Sequence, residues 1–127
     1  MTELASLEVA VGLWVVHLIC QMSTAGGAFS MAYLVSSRDA QDKPKGVIWG
    51  RATRAFANYV ENLVPFAALD LGLIATHHTA GFAPTLWVAA RVVYLPLYLF
   101  NILYARTLAA AAAVVALVMM LGALAAH

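Results

Sequence analysis

Residues 51–66 read RATRAFANYVENLVPF, and the fold turns on how that stretch is read. Arg54, Asn58 and Glu61 stand at i, i+4 and i+7, so they share one face of a helix. The helix they predict lies in an otherwise apolar run over about 51–76, long enough to cross a bilayer. A charge or amide at bilayer depth is costly and calls for a partner or a polar ligand. At ~1.5 Å per residue, Glu61 lies roughly 15 Å from the start of the run, close to the midplane. A second polar set, Arg91, Tyr94 and Tyr98 at i, i+3 and i+7, falls on a later apolar segment at overlapping depth. Two such stripes inside a small helical bundle read as one site.

Composition points the same way. Of 127 residues, 64% are hydrophobic and only 10% charged, with mean hydropathy +0.86. Ordinary soluble domains have roughly 45–50% apolar and 25% charged residues, so the membrane class follows. The net charge of +1 gives no reason to expect nucleic acid as a partner. The distribution of charge says more: five of the seven Lys and Arg (Arg38, Lys43, Lys45, Arg51 and Arg54) fall within residues 36–54. Cys20 is the single cysteine, which allows no intrachain disulfide and no cysteine metal cluster. The N-terminus has no basic region ahead of a short apolar segment with a cleavage site, so the first helix is expected in the mature protein.

The expected architecture is all-α and membrane-integral: one domain over 1–127, a four-helix up-down bundle with spans at about 4–35, 51–76, 85–104 and 107–126. The runs are continuous and apolar, without the alternation of a β-barrel. Ser23, Thr24, Gly26 and Gly27 would allow close helix packing late in the first span. The polar segment 36–50, with Pro44 and Gly46, is the main loop. Its basic residues should face the cytoplasm, with Arg106 on the same side and the 77–84 turn opposite. Trp49 and Trp87 fall near span ends, where interfacial aromatics are expected. So short a bundle has little interior of its own, which favours oligomerisation.

Two readings compete for the stripes. A buried Glu61–Arg91 ion pair would account for two residues, with Asp70, about 180° around the helix from Glu61, as the other candidate partner of Arg91. A pocket for an anionic, peptide-like molecule would account for all of them, the arginines holding carboxylates, Glu61 an ammonium or amide N–H, and the tyrosines supplying hydroxyls. His17 and Gln21 suit interhelical hydrogen bonds. His77-His78 reads as an exposed turn, and no metal is expected.

The run Arg51…Arg54…Asn58…Glu61…Pro65-Phe66 resembles the second-helix signature R-x-x-x-N-x-x-E of the MAPEG family, the membrane-associated proteins of eicosanoid and glutathione metabolism. Arg91-Val-Val-Tyr94-Leu-Pro-Leu-Tyr98 resembles that family's third-helix run. The resemblance covers essentially the whole chain and is nearest to small bacterial members. It implies a homotrimer in the inner membrane with glutathione bound between neighbouring subunits. On matched positions, Arg54, Asn58, Glu61, Arg91, Tyr94 and Tyr98 would hold glutathione, with Arg51 as a further basic position. Asn62 stands beside Glu61, where some members have an aromatic. Arg38 would come from the neighbouring subunit.

Arg106, eight residues past Tyr98, would be the catalytic arginine. A guanidinium favours the nucleophilic thiolate over the thiol. The implied function is a membrane-bound glutathione transferase, with glutathione as co-substrate, acting on a lipophilic electrophile drawn from the surrounding lipids, with peroxidase activity as an extension. The alternative is a non-catalytic lipid- or glutathione-binding relative. A small multidrug transporter is a remote third reading, because such proteins resemble one another in carrying an embedded carboxylate in helix one, and here it lies in helix two.

Overall fold

A computed structural model describes residues 1–126, and among them five helices account for all regular structure. They are α1 (Glu3–Ala28), α2 (Met31–Leu34), α3 (Ile48–Ala75), α4 (Ala83–Leu99) and α5 (Leu103–Ala125). At ~1.5 Å per residue the four long ones are roughly 39, 42, 26 and 35 Å long. By length and composition α1 and α5 are apolar enough to cross a membrane, and α4 is a shorter apolar helix.

Contacts fix the helix directions. At one end of the α1–α3 pair, Glu3 accepts a hydrogen bond from the Thr79 hydroxyl (2.6 Å) and one from the Ala80 N–H (3.2 Å). At the other end Gln21 Nε2 donates to Thr53 Oγ1 at 3.3 Å. The two helices therefore run antiparallel. The same logic holds for α3 and α4, joined by Phe66 on Trp87 in the middle and by Arg51 Nη1 to the Leu99 carbonyl (3.1 Å) at one end. Residues 100–102 alone separate α4 from α5, and Asn101 takes a left-handed backbone there (φ 58°).

One face of α3 builds the core. Ala52, Ala55, Tyr59, Phe66, Asp70 and Leu73 are buried and recur at helical spacing. Phe66 stacks on Trp87 with ring centroids 4.0 Å apart, and Tyr59 lies 5.7 Å from the same indole. Ala10 and Leu13 of α1 and Ala113, Ala116 and Met120 of α5 close the cluster. Gly72 permits close approach of α5: a Cβ there would meet the Leu124 side chain at 3.0 Å.

The first helix departs from expectation. It ends at Ala28, not near residue 35, because Gly26-Gly27 lowers helix propensity and Phe29 turns extended (ψ 156°). Ser30 then caps the short α2 by accepting from the Tyr33 N–H. The small residues here also do not pack a second helix within the chain. Gly26 and Gly27 have nothing within 4 Å of a built Cβ, and Thr24 bonds back to the Cys20 carbonyl at 2.7 Å. The third span ends early as well, at Leu99, and α5 starts at Leu103, which places Arg106 inside a helix and not between two.

Candidate functional site

The polar groups converge where α3 and α4 cross and where α5 begins. Arg91 is 1% exposed, and its Nη1 donates to Asn58 Oδ1 at 2.8 Å. Its guanidinium carbon lies 4.3 Å from the Tyr94 ring centroid and 5.3 Å from that of Tyr59. Cation–π contact of this kind supports a guanidinium taken out of water. Arg91 Nε and Nη2 carry no hydrogen bond. Neither carboxylate proposed from the sequence is its partner within the chain: Glu61 is exposed on the outer side of α3, and both buried Asp70 oxygens are unbonded. The reason is rotational. The core face of α3 carries Tyr59 and Asp70, and Arg54 and Glu61 are turned largely away from it, so only Asn58, at the border, reaches Arg91.

The second half of the site is centred on Tyr98. Arg54 Nε donates to the Tyr98 hydroxyl at 3.3 Å, and the Arg106 guanidinium lies 4.7 Å from the Tyr98 ring centroid. Tyr94 and Tyr98 rings are 5.7 Å apart, so the two halves are continuous. Arg106 stands in the first turn of α5, whose leading N–H groups have no side-chain cap. Free N–H groups and the helix dipole reinforce a guanidinium in attracting an anion to that point.

Other expected residues are placed elsewhere. Arg51 holds the last carbonyl of α4, a structural task. Asn62 Nδ2 donates to the Asn58 carbonyl on its own helix at 2.9 Å. Arg38 has a left-handed backbone (φ 63°) and folds over the end of α2, donating from Nε and Nη2 to the Leu34 carbonyl at 3.3 and 3.1 Å. It lines a cavity of about 240 Å³ with Phe29, Tyr33 and Trp49, on the α1–α2 flank. Within one chain Arg38 and the Tyr98 cluster are separate.

Tyr59 and His17 support the site and were not singled out as a pair by the sequence. The Tyr59 hydroxyl donates to the Ala10 carbonyl, and its ring stacks on His17 at 4.4 Å. His17 bonds through Nδ1 to the Leu13 carbonyl of its own helix at 2.9 Å, whereas Gln21 makes the expected interhelical bond. The signal for Tyr59 was its place among Ala52, Ala55 and Phe66 on the apolar face, one residue from Asn58.

Buried and half-buried arginine, amide and phenol groups in an all-helical chain, with apolar residues turned outward on every long helix, define a membrane protein with an internal polar site. The chain belongs to the MAPEG family, whose model matches residues 4–126. No curated protein and no solved structure gives a significant match.

Proposed function

We propose that this protein is a membrane-bound glutathione transferase. The observation that carries the reading is the double hold on Tyr98: Arg54 reaches its hydroxyl from α3, and Arg106 covers its ring from α5. Three helices thereby bring two guanidiniums and a phenol to one point, a donor set suited to a peptide carboxylate and a thiolate. Membership of a family that includes glutathione transferases supports it. Arg54, Asn58, Glu61, Arg91, Tyr94 and Tyr98 bind the tripeptide, and Arg106 holds the sulfur as thiolate. The sulfur then forms a bond to the electrophilic carbon, and the leaving group departs with its electron pair. A lipophilic hydroperoxide would be the second substrate type.

The working unit is a homotrimer of four-span protomers in the inner membrane, with loop 36–50 cytoplasmic. Arg54 and Glu61 are exposed on the single chain, beside exposed Val60 and Val64. A neighbouring copy at this face would enclose them. The second reading, a glutathione or lipid binder without turnover, draws on Asn62, which is bonded to its own helix where an aromatic would contact the peptide.

The deciding experiment uses purified protein with glutathione and 1-chloro-2,4-dinitrobenzene. Thiolate absorbance on glutathione binding and turnover at neutral pH that Arg106→Ala lowers support the transferase. Binding without turnover supports the second reading, and absence of both rejects the glutathione site.

A further inference from the structure

Tyr59 lies in the core face of α3, outside the binding set, yet it touches the group at the centre of that set. Its ring centroid is 5.3 Å from the Arg91 guanidinium carbon, and that of Tyr94 is 4.3 Å from the same carbon. Tyr59 is itself fixed from α1 and α4. The His17 ring stacks on it at 4.4 Å with an interplanar angle of 14°. The Trp87 indole lies 5.7 Å away, and the Tyr59 hydroxyl donates to the Ala10 carbonyl. His17 is tied in turn to the Leu13 carbonyl through Nδ1 at 2.9 Å. A fully buried phenol, stacked and hydrogen-bonded in this way, offers a rigid ring to a guanidinium taken out of water.

Arg91 has few other supports. Among the described residues its Nε and Nη2 carry no hydrogen bond, and Nη1 donates to Asn58 Oδ1 at 2.8 Å. Ring contact therefore offsets much of the cost of burying its charge. The bond to Asn58 has a second effect. A guanidinium only donates, so Arg91 commits the amide oxygen of Asn58 and turns the Nδ2 donor elsewhere. A carboxylate ligand needs that donor and not the oxygen. We propose that Tyr59 is a positioning residue: it seats the Arg91 guanidinium, Arg91 sets the Asn58 amide, and the amide donates to a carboxylate of glutathione. This rests on the glutathione reading of the site. Tyr59 acts without touching the peptide, and α1 enters the site through it, by way of Ala10 and His17.

The test is isothermal titration of glutathione into the purified protein in detergent. Tyr59→Leu should weaken binding about tenfold, the effect of one desolvated cation–π contact, at unchanged stoichiometry. Tyr59→Phe keeps the ring and should bind within about threefold of the wild type. Phe56→Leu removes another ring of α3, one that packs on Trp14 and His17, and should stay within about twofold. In an Arg91→Met background, adding Tyr59→Leu should cause no further loss. Replacing Tyr59 by phenylalanines of rising fluorine content keeps the ring's shape and drains its negative face, so affinity should fall stepwise. Wild-type affinity in Tyr59→Leu, even at lower stoichiometry, overturns the proposal. So does an equal loss in Phe56→Leu, which would mean general loosening of α3, or full additivity with Arg91→Met. If Tyr59→Leu or Arg91→Met fails to fold, the fluorinated series decides, and a flat series overturns the proposal. Wild-type protein that binds no glutathione overturns the glutathione reading and the proposal with it, whereas wild-type binding with a flat series overturns the proposal alone.

Discussion

Arg91 and Asn58 are bound to one another across the α3–α4 contact at 2.8 Å, and that amide oxygen is the one hydrogen-bond acceptor the buried guanidinium has among the described residues. Asn58→Leu should therefore destabilise the protein by about 2–3 kcal/mol, the value of a hydrogen bond to a charged group. Thermal unfolding in detergent measures it. A change below about 0.5 kcal/mol would show that another group takes over the charge.

Arg106→Ala should leave the fold intact and raise the pH needed for activity. The thiolate is the reactive form, and a neighbouring guanidinium lowers the thiol pKa from about 8.5. Activity is then full above the lowered value and is lost as pH falls through it. In Arg106→Ala the inflection should move up towards about 8.5, while Arg106→Lys retains part of the shift. An unchanged pH profile would remove Arg106 from the thiolate site.

Tyr98→Phe removes the hydroxyl that accepts from Arg54 but keeps the ring under Arg106. Glutathione affinity should fall by about tenfold, corresponding to one lost hydrogen bond, while the pH inflection stays in place. Isothermal titration and the pH profile separate the two effects.

Asp70→Leu should stabilise the isolated protomer fold. The carboxylate is fully buried and both oxygens lack a partner, and an unsatisfied buried polar group costs about 1–3 kcal/mol. A higher unfolding temperature is expected. A lower one would mean that Asp70 meets a donor supplied from outside the chain.

Much of this was legible because helix periodicity leaves marks in sequence. The polar stripes, the long apolar runs and the paired motifs follow from residue type and spacing, and the motif pair gave the family that the full-length match bears out. The choice of buried carboxylate was not legible. Glu61 and Asp70 are both acidic residues in one helix, and which lies in the core depends on rotation of α3 by its packing against Trp87 and Ala10. The stripe looked buried because it was polar and deep; in the chain the core face is on the other side of the helix, marked by Tyr59 and Phe66. The early end of α1 was also hard to read. Gly26-Gly27 fits a packing motif and a helix break equally well, and tertiary contacts made by Phe29 with Tyr33 and Trp49 favour the break.

The turn at residues 100–102 has a consequence for how sites of this kind diversify. Tyr98 and Arg106 belong to different helices, so their eight-residue separation measures the length of a reversal and not a helical period. Adding or removing one turn residue would swing the arginine around the axis of α5 without disturbing α3 or the tyrosines. On the proposed function, a reactive centre assembled across this hairpin would be retuned through loop length alone, while the peptide-holding half stayed fixed.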